Sequence, residues 1–378
     1  MKILYVTTVS ITMGFFPEHF KMLVEEGYEV ELASNFEQPL REDIVAFGFE
    51  VHYIPFSRSP LSKDNIKAYK QLKKLITEKE YDIVHCHTPV AAMCTRLACR
   101  KARKNGTKVF YTAHGFHFYK GAPLKNWLVY YPAEWLCSFW TDTLITINKE
   151  DYHRAQQHMH AKRTVYVPGV GIDLNKFGSV SLNRTEKRKE LGIPENAVLL
   201  LSVGELNENK NHETIIKAIA ELERYDLYYV IAGTGDKRER LQKIIDENNL
   251  SAQVHLLGFR KDISELCGAA DIFCFPSYRE GLSISVMEAM AAGLPIICSK
   301  IRGNTDLIEN GKGGYLIAPN AIASFADAIQ KLAKSPEFRK RMGEYNMTLA
   351  LKYDIEAIVV QMKAQYSEFT PPQGVVKG

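Results

Sequence analysis

The sequence lacks the features of a membrane-spanning, secreted or zinc-stabilised protein. None of its apolar runs reaches the ~18 residues that a transmembrane helix needs. The first residues, Met1-Lys2-Ile3-Leu4, predict a short buried strand and no signal peptide. The seven cysteines are odd in number and include no C-x-x-C pair. We therefore expect buried thiols in a reducing, cytoplasmic compartment and no zinc site.

Acidic residues are missing from a long stretch of the amino-terminal half. Between Asp82 and Glu134 there is no carboxylate but there are eight lysines or arginines, although the net charge of the whole chain is only +4. A nucleic-acid-binding protein would be more basic throughout, so nucleic acid is not an expected partner. The local imbalance favours an anionic partner for this half of the chain.

The 378 residues, 46% of them hydrophobic, are enough for two domains with a core each. Short continuous runs of Val, Ile, Leu and Tyr are typical of strands buried on both faces of a parallel sheet. They alternate with stretches of helical periodicity, which indicates βαβ units and doubly wound α/β sheets. Thirteen runs predict strands at 2–9, 28–33, 51–54, 82–85, 108–112, 143–147, 165–167, 198–203, 227–232, 254–257, 272–275, 295–298 and 314–317.

A segment rich in proline and glycine, Val167-Pro168-Gly169-Val170-Gly171, marks the best domain boundary. It follows a predicted strand and precedes a polar, basic stretch at 183–190. We predict two Rossmann-like domains, at 1–168 and 169–353. Residues 354–369 are expected to form a last helix that can pack on either domain, including back on the first, and 370–378 a loose tail.

The most informative motif joins a predicted buried strand to a helix. It runs Glu280-Gly281-Leu282-Ser283-Ile284-Ser285-Val286-Met287-Glu288. Ligands bind open α/β sheets where strands end and helices begin, and free amide groups at a helix start suit a phosphate. Glu288 would accept hydrogen bonds from a ribose diol and Glu280 would hold sugar hydroxyls. The alternative is that both carboxylates only complement the helix dipole.

This motif resembles the E-x7-E motif of retaining family 4 glycosyltransferases of GT-B fold. Other segments resemble that family in the expected order, so the resemblance covers nearly the whole chain. They are Pro168-Gly169-Val170-Gly171-Ile172-Asp173, Ser202-Val203-Gly204-Glu205-Leu206 with Lys210, Ala232-Gly233-Thr234-Gly235-Asp236 and Val254-His255-Leu256-Leu257-Gly258-Phe259. The resemblance implies a GT-B architecture, in which an acceptor-binding and a donor-binding domain face each other across a cleft.

The family resemblance implies a donor site in the second domain. Lys210 would neutralise the donor diphosphate, although a lysine taken alone is more often a solvated surface residue. The family commonly has Arg where this chain has Glu205, so a further cation such as Arg260 or Arg302 would be needed. The implied nucleotide-binding set is Gly204, Lys210, Gly258, Phe259, Arg260, Leu282, Ser283, Ile284 and Glu288.

The first domain supplies two further candidates. Gly14 follows the first strand, just before a helix expected to begin near Pro17, and the resemblance places its loop at the donor diphosphate. His114 follows the strand at 108–112 and resembles the family's histidine at the donor sugar. Taken alone, Gly14 reads as a turn glycine and His114 as a structural histidine. With Glu280 and Lys210, His114 completes the expected catalytic set.

Two cofactor motifs are missing. There is no D-x-D for a divalent cation, so we expect a metal-independent reaction without a cofactor. His85 and His87 would share a strand face, but no third ligand is evident and fraying at the strand end would separate them. Gly233-Thr234-Gly235 lacks the third glycine of a nicotinamide fingerprint, since Arg238 stands there.

Aromatic and basic residues are concentrated at 96–140, which contains all three tryptophans. This composition suits either an anionic membrane surface or a core helix beside a solvated basic helix. Trp127, Tyr131 and Trp135 share one helical face, which favours burial of some of them. Within the resemblance, bacterial capsule and exopolysaccharide enzymes are the most similar, and these extend sugars on undecaprenyl diphosphate at the inner membrane face.

The expected function is therefore transfer of a hexose or N-acetylhexosamine, with retention, from a UDP-linked donor to a lipid-linked saccharide. The expected partners are the nucleotide sugar, the lipid-linked acceptor and an anionic membrane contacted through residues 96–140. The alternatives are a UDP-sugar 2-epimerase of the same fold and a non-catalytic sugar-nucleotide- or lipid-binding module.

Overall fold

A computed structural model describes residues 1–178 and 184–369, which divide into two compact units. Unit 1 contains Met1–Val170 together with the chain from Ile355 onward, and unit 2 contains Gly171–Asp354. The predicted tail at 370–378 and the start of the basic stretch at 183–190 lie outside the described residues. In the described part of the chain, every helix is too short or too polar to span a bilayer.

Unit 1 is built on a seven-stranded sheet in which every neighbouring pair of strands is parallel. The strands are β1 (Lys2–Val9), β2 (Glu29–Asn35), β3 (Glu50–Tyr53), β4 (Ile83–His87), β5 (Lys108–Ala113), β6 (Thr143–Thr146) and β7 (Arg163–Tyr166). Their order is β3-β2-β1-β4-β5-β6-β7, so the direction of winding reverses between β1 and β4. This is the doubly wound pattern that the buried apolar runs predicted.

Helices cover the unit 1 sheet and bury its two faces in separate cores. They are α1 (Pro17–Glu25), α2 (Glu42–Val45), α3 (Asp64–Lys79), α4 (Pro89–Ala98), α5 (Leu124–Ser138) and α6 (Lys149–His158). One core contains residues of α3 and α4, with Trp127 and Tyr131 of α5 packed against it. The other contains Phe20 of α1 and Phe110 of β5.

Unit 2 is built on a six-stranded parallel sheet. The strands are β8 (Val198–Val203), β9 (Leu227–Ala232), β10 (Val254–Gly258), β11 (Ile272–Phe275), β12 (Ile296–Ser299) and β13 (Gly314–Ile317). Their order, β10-β9-β8-β11-β12-β13, reverses between β8 and β11. Ligands of such sheets bind at the carboxyl ends of the strands beside this reversal.

Among the described residues of unit 2, five helices lie between its strands in sequence, two precede β8 and two follow β13. In chain order they are α7 (Asn175–Gly178), α8 (Arg184–Glu190), α9 (His212–Leu222), α10 (Arg238–Glu247), α11 (Ile263–Ala269), α12 (Ile284–Ala291), α13 (Asn304–Leu307), α14 (Ile322–Lys334) and α15 (Pro336–Ala350). The last helix, α16 (Ile355–Ser367), belongs to unit 1. Tyr366 of α16 is buried, and its ring stacks on that of Phe110 with 5.4 Å between the ring centroids. Its hydroxyl group shares a hydrogen bond of 2.6 Å with His85 Nδ1.

Candidate functional site

The candidate site in unit 2 lies where β8 and β11 end, beside the reversal of the sheet. Strand β11 ends at Phe275, and a loop leads from it to α12, as the sequence predicts. Ser283 begins the helix as its N-cap, and its side chain accepts a hydrogen bond from the amide of Val286. The first-turn amides of Ile284 and Ser285 have no acceptor within the helix, and free amides at a helix start can donate to an anion.

Lys210 and Glu280, two predicted catalytic residues, form an ion pair. Lys210 Nζ lies 2.8 Å from Glu280 Oε1, and the side chains are only 20% and 13% exposed. The ammonium group also lies 4.6 Å from the ring centroid of Phe275. The backbone amide of Lys210 donates a hydrogen bond to Asn207 Oδ1 at 3.0 Å, which holds the lysine backbone in place. The cation is therefore fixed at the ends of β8 and β11.

Gly204, another predicted residue, leaves room for the lysine. A Cβ atom at Gly204 would lie 3.2 Å from Lys210 Cε and 3.3 Å from its Cδ. Glycine therefore lets the lysine stem run across the end of β8. The neighbouring Glu205 is exposed and accepts a hydrogen bond from Asn207 at 2.9 Å.

The two candidate arginines differ in their surroundings. Arg302 is buried at 7% exposure, and its Nε donates to the carbonyl oxygen of Glu280 at 3.1 Å. Arg260 instead donates to Asp262 Oδ1 at 2.8 Å and to Glu190 Oε1 at 2.6 Å, and these carboxylates raise the pKa of its guanidinium. Of the two, Arg302 is the one that the structure brings to the Lys210–Glu280 pair.

Gly258 and Phe259 end strand β10 at the edge of the same sheet. The carbonyl of Gly258 accepts from the amide of Gly233 at 2.8 Å, which joins the ends of β9 and β10. Phe259 follows and is 72% exposed. An exposed aromatic ring beside two backbone turns offers a stacking surface for a planar group.

Glu288 lies one turn inside α12 and is partly buried. Burial raises the pKa of its carboxyl group to about 7, an effect that Lys176 of α7 opposes. Leu282 and Ser283, at the start of the helix, are buried as well. A carboxyl group with a pKa near 7 is unusual on a surface helix. Such perturbed pKa values are common at binding sites.

His114 follows β5 in unit 1, and its neighbour is another histidine. His114 Nε2 lies 3.0 Å from His87 Nδ1, so one of these two nitrogens donates and the other accepts. Burial lowers the pKa of His114 to about 4, which keeps the imidazole neutral at pH 7. His87 stacks on Tyr5 and lies 4.6 Å from Phe16, measured between ring centroids, so the pair is held by aromatic packing.

The H-x-H pair does not fray, contrary to prediction. Strand β4 includes both His85 and His87, and their ring centroids are 4.2 Å apart on one face. His85 uses both ring nitrogens, toward the Tyr366 hydroxyl and toward Thr112 Oγ1. These long-range partners explain the motif structurally.

Gly14 lies in a 3-10 helix, Ser10–Phe15, and α1 begins at Pro17 as predicted. The carbonyl of Gly14 accepts from Arg41 Nη1 at 2.8 Å, and a Cβ atom there would lie 3.0 Å from Arg41 Cδ. The neighbour is the flexible stem of an arginine, so the backbone itself does not require glycine here.

One expectation for the segment 96–140 is wrong. Arg96 is not part of a surface patch, because it is 1% exposed and bonds to Glu134 Oε2 at 2.7 Å. Trp127 and Tyr131 pack on the core and Trp135 is 39% exposed, so some of the three aromatic residues are buried, as their shared helical face predicts. The seven cysteines, all within the described residues, are free and buried.

Among residues 1–178 and 184–369, one set of side chains is close enough to share a metal ion, namely Glu31, Glu50 and His52. Lys2 lies 2.6 Å from Glu31, and Lys79 lies 2.7 Å from Glu50. The set therefore forms an ion-pair network at the β2–β3 edge, and its charge is already balanced by lysines.

Two family models cover most of the chain. "Glycosyl transferases group 1" matches residues 183–348, and "Glycosyl transferase 4-like" matches residues 2–148. The putative glycosyltransferase EpsD of Bacillus subtilis is 41% identical over 97% of both chains. This chain belongs to glycosyltransferase family 4. The two parallel α/β units accordingly give the glycosyltransferase its GT-B fold.

A second relative has a more specific name. The UDP-Gal:alpha-D-GlcNAc-diphosphoundecaprenol alpha-1,3-galactosyltransferase of Escherichia coli is 30% identical over 83% of this chain and 82% of its own. Among solved structures, HepE of Anabaena in complex with UDP matches with a TM-score of 0.79 at 19% identity, covering 97% of this chain and 100% of HepE. These families and relatives are transferases and give no support to the epimerase alternative.

Some contacts of the glycosyltransferase have no local sequence signal. The sequence indicated Lys210 and Glu280 separately, but not that they form an ion pair across 70 positions. It gave no reason to pair His87 with His114. Lys176, which acts on Glu288, follows the interdomain segment and was not a candidate.

Proposed function

We propose that this glycosyltransferase transfers a hexose or N-acetylhexosamine from a UDP-linked donor to an undecaprenyl-diphosphate-linked saccharide in capsule or exopolysaccharide synthesis. The observation that carries the proposal is the fixed Lys210–Glu280 pair, with Arg302 beside it, at the strand ends of unit 2. The names of the relatives support it: HepE binds UDP, and the E. coli enzyme acts on a lipid-linked GlcNAc.

In this proposal the donor occupies the strand ends of unit 2. Lys210 and Arg302 bind the diphosphate, together with the amides at Leu282, Ser283 and Ile284. Glu280 accepts hydrogen bonds from sugar hydroxyls. Glu288 holds the ribose diol, and the base lies against Gly258 and Phe259. Because Arg260 already bonds to two carboxylates, its role is to hold the β10–α11 loop.

The proposed reaction retains the anomeric configuration. The bond between the anomeric carbon and the diphosphate oxygen breaks, and the acceptor hydroxyl oxygen bonds to that carbon on the same face. The acceptor proton passes to the leaving diphosphate oxygen, so the protein contributes positioning and charge stabilisation. His114, being neutral, donates a hydrogen bond to a hydroxyl of the donor sugar, and Gly14 lies near the diphosphate.

The first experiment is thermal unfolding with UDP, GDP, ADP and UMP, each with and without EDTA. We expect UDP to raise the melting temperature most, and EDTA to leave that rise unchanged, because Lys210 and Arg302 supply the positive charge that a metal would otherwise provide. No stabilisation by any nucleotide contradicts the donor site. Stabilisation that EDTA abolishes contradicts metal independence.

The pH dependence of UDP binding tests the role of Glu288. Its pKa is raised to about 7, so the carboxyl group is protonated below that pH. A ribose diol donates to the ionised form, and we expect UDP affinity to fall below pH 7, about tenfold per unit. Calorimetric titration between pH 5.5 and 8.5 measures this.

The matched control is Glu288→Gln, which keeps the size of the side chain but cannot titrate. The terminal phosphate of UDP also titrates, at about pH 6. The pH profile of UDP affinity for the control variant contains that contribution alone. Subtracting the two profiles isolates Glu288. Identical profiles for wild type and variant would remove Glu288 from the nucleotide site.

We further propose that the enzyme works as a peripheral protein at the inner face of the plasma membrane, through an anionic membrane surface contacted by the segment 96–140. The segment has exposed basic residues, among them Arg100, Lys101 and Lys104. A lipid-linked acceptor requires access to the bilayer surface, and basic residues are attracted to its anionic lipids. Arg96 is excluded from this surface by its burial.

A further inference from the structure

A strongly basic cavity lies in unit 1, and no predicted catalytic or nucleotide-binding residue is part of its lining. Its volume is about 650 Å³, and its lining includes six lysines or arginines and no carboxylate. The basic residues of its lining are Lys73, Arg100, Lys101, Arg103, Lys104 and Lys162. Tyr69, Phe139 and Trp140 contribute aromatic walls. We refer to it as the basic pocket.

Most of this positive charge has no counter-ion. Arg103 and Lys162 share one carboxylate, Asp142, at 2.8 Å and 2.9 Å. Burial opposes ionisation of Asp142, but these two cations outweigh it and hold the pKa of its carboxyl below the usual range. Throughout residues 1–178 and 184–369, no carboxylate forms an ion pair with the other four cations, which are Lys73, Arg100, Lys101 and Lys104.

The aromatic walls hold part of this charge in place. The Arg100 guanidinium carbon lies 4.5 Å from the ring centroid of Trp140. This contact limits the motion of the arginine, while its N–H groups can still bind an anion. Arg103 also donates to the carbonyl of Phe139, at the end of α5. The arginines of the pocket are therefore held by neighbouring groups, and its lysines are exposed.

An exposed apolar stripe on α5 leads to the pocket. Leu124, Leu128, Trp135 and Phe139 follow one another at spacings of four, seven and four, which keeps them on one side of the helix. They are 73%, 69%, 39% and 45% exposed. Phe139 belongs to both features, since it also lines the pocket. An apolar stripe beside uncompensated cations matches the acyl boundary and the phosphates of a bilayer.

The pocket is distinct from the predicted reaction centre. Asp142, which anchors two of its cations, accepts from the amide of Val109 near the start of β5. His114 follows the other end of that strand, roughly 16 Å away at the rise of an extended chain. Helix α5 connects the two edges, because Asn126 near its start bonds to the carbonyl of His117. A bilayer along α5 would thus reach from the pocket toward the edge with His114.

We infer that the basic pocket binds the phosphate group of an anionic membrane phospholipid, with the α5 stripe inserted beside it at the acyl boundary. This inference rests on the proposed work at a membrane and adds a defined headgroup site to it. The pocket residues are separate from the donor-binding residues, so lipid binding and donor binding can be measured independently.

The test compares vesicle binding by three variants of the full chain. The pocket variant is Lys73→Gln/Arg100→Gln/Lys104→Gln, and its control is Lys243→Gln/Lys340→Gln/Lys352→Gln, which removes the same charge from exposed positions of unit 2. The stripe variant is Leu124→Ser/Leu128→Ser. Vesicles contain phosphatidylcholine with or without phosphatidylglycerol, and UDP-induced thermal stabilisation of each variant checks its fold and donor site.

We expect the control to bind phosphatidylglycerol vesicles like the wild type and the pocket variant to bind roughly 100-fold more weakly, since three cations are lost at the surface. The stripe variant should also lose binding, although its charge is unchanged. Equal losses in pocket and control variants would show a diffuse charge effect and overturn the headgroup site.

A soluble anion is distinguished by titrating the protein with inorganic phosphate and pyrophosphate. Tight binding of either one, lost in the pocket variant but not in the stripe variant and without vesicle binding, would overturn the lipid assignment. If the wild type is stabilised by UDP and transfers sugar but binds no vesicles, the headgroup inference fails and the transferase proposal stands. If the wild type binds vesicles but is not stabilised by UDP, the headgroup inference stands and the transferase proposal fails.

Discussion

Replacing Lys210 with alanine is expected to lower kcat/KM for the nucleotide-sugar donor by about 10- to 100-fold. The ammonium group is the fixed cation at the ends of β8 and β11, and one charge-assisted contact to a diphosphate contributes about 1.5–3 kcal/mol. Because negative charge grows on the leaving diphosphate as the bond breaks, part of the loss should appear in kcat. Initial rates of UDP release over a range of donor concentrations measure both constants.

Lys217→Ala is the matched control for this experiment. Lys217 lies on α9 in the same unit, is 43% exposed in its side chain and pairs with Glu213 one turn away. The Lys217→Ala substitution removes the same charge without changing the strand ends. We therefore expect its kinetics to be close to those of the wild type. Near-wild-type kinetics for Lys210→Ala as well would remove Lys210 from the donor site.

Replacing Glu134 with alanine is expected to destabilise unit 1 by about 3–5 kcal/mol, because it leaves a buried arginine without its counter-ion. Arg96 is 1% exposed, and its Nη2 lies 2.7 Å from Glu134 Oε2. The other carboxylate oxygen accepts from the Tyr111 hydroxyl at 3.1 Å, and the guanidinium carbon lies 4.2 Å from the Tyr111 ring centroid. The variant removes both hydrogen bonds of the carboxylate at once.

Urea denaturation followed by tryptophan fluorescence measures the effect on unit 1 specifically, because all three tryptophans lie between Trp127 and Trp140. The double variant Arg96→Met/Glu134→Leu removes both charges and should lose far less stability than Glu134→Ala. Lys74→Ala, which breaks an exposed pair with Glu78, should change stability by about 0.5 kcal/mol or less. A Glu134→Ala variant as stable as this control would contradict the account of the pair.

The sheet strands could be predicted from local sequence because burial on both faces leaves a continuous apolar run. All thirteen predicted strands are present, with ends that differ by up to two residues. Strand β4 continues to His87 where fraying was expected, because His85 and His87 find partners on β5, on α16 and in the loop after β5. Those partners are distant in sequence and have no local signal.

The same limit applies to charged residues. The run without carboxylates suggested that Arg96 was exposed with its basic neighbours, yet its partner Glu134 lies 38 positions away. Four positions after Arg96, the exposed basic stretch from Arg100 to Lys104 begins. Which arginines are buried depends on how α4 packs against α5, and the sequence pattern does not contain that packing. The donor residues, by contrast, follow strand ends, whose common edge is fixed by the parallel topology.

The most direct test of the proposed function is a sugar-transfer reaction followed by proton NMR. The enzyme is incubated with a panel of UDP-sugars and a short-chain polyprenyl diphosphate bearing N-acetylglucosamine, and the anomeric signals are followed with time. We predict that one donor yields a new glycoside with the α-configuration of the UDP-sugar and one equivalent of UDP. A β-linked product would contradict retention, and the absence of any glycoside from a panel that includes a UDP-sugar shown to bind would contradict the proposed transfer.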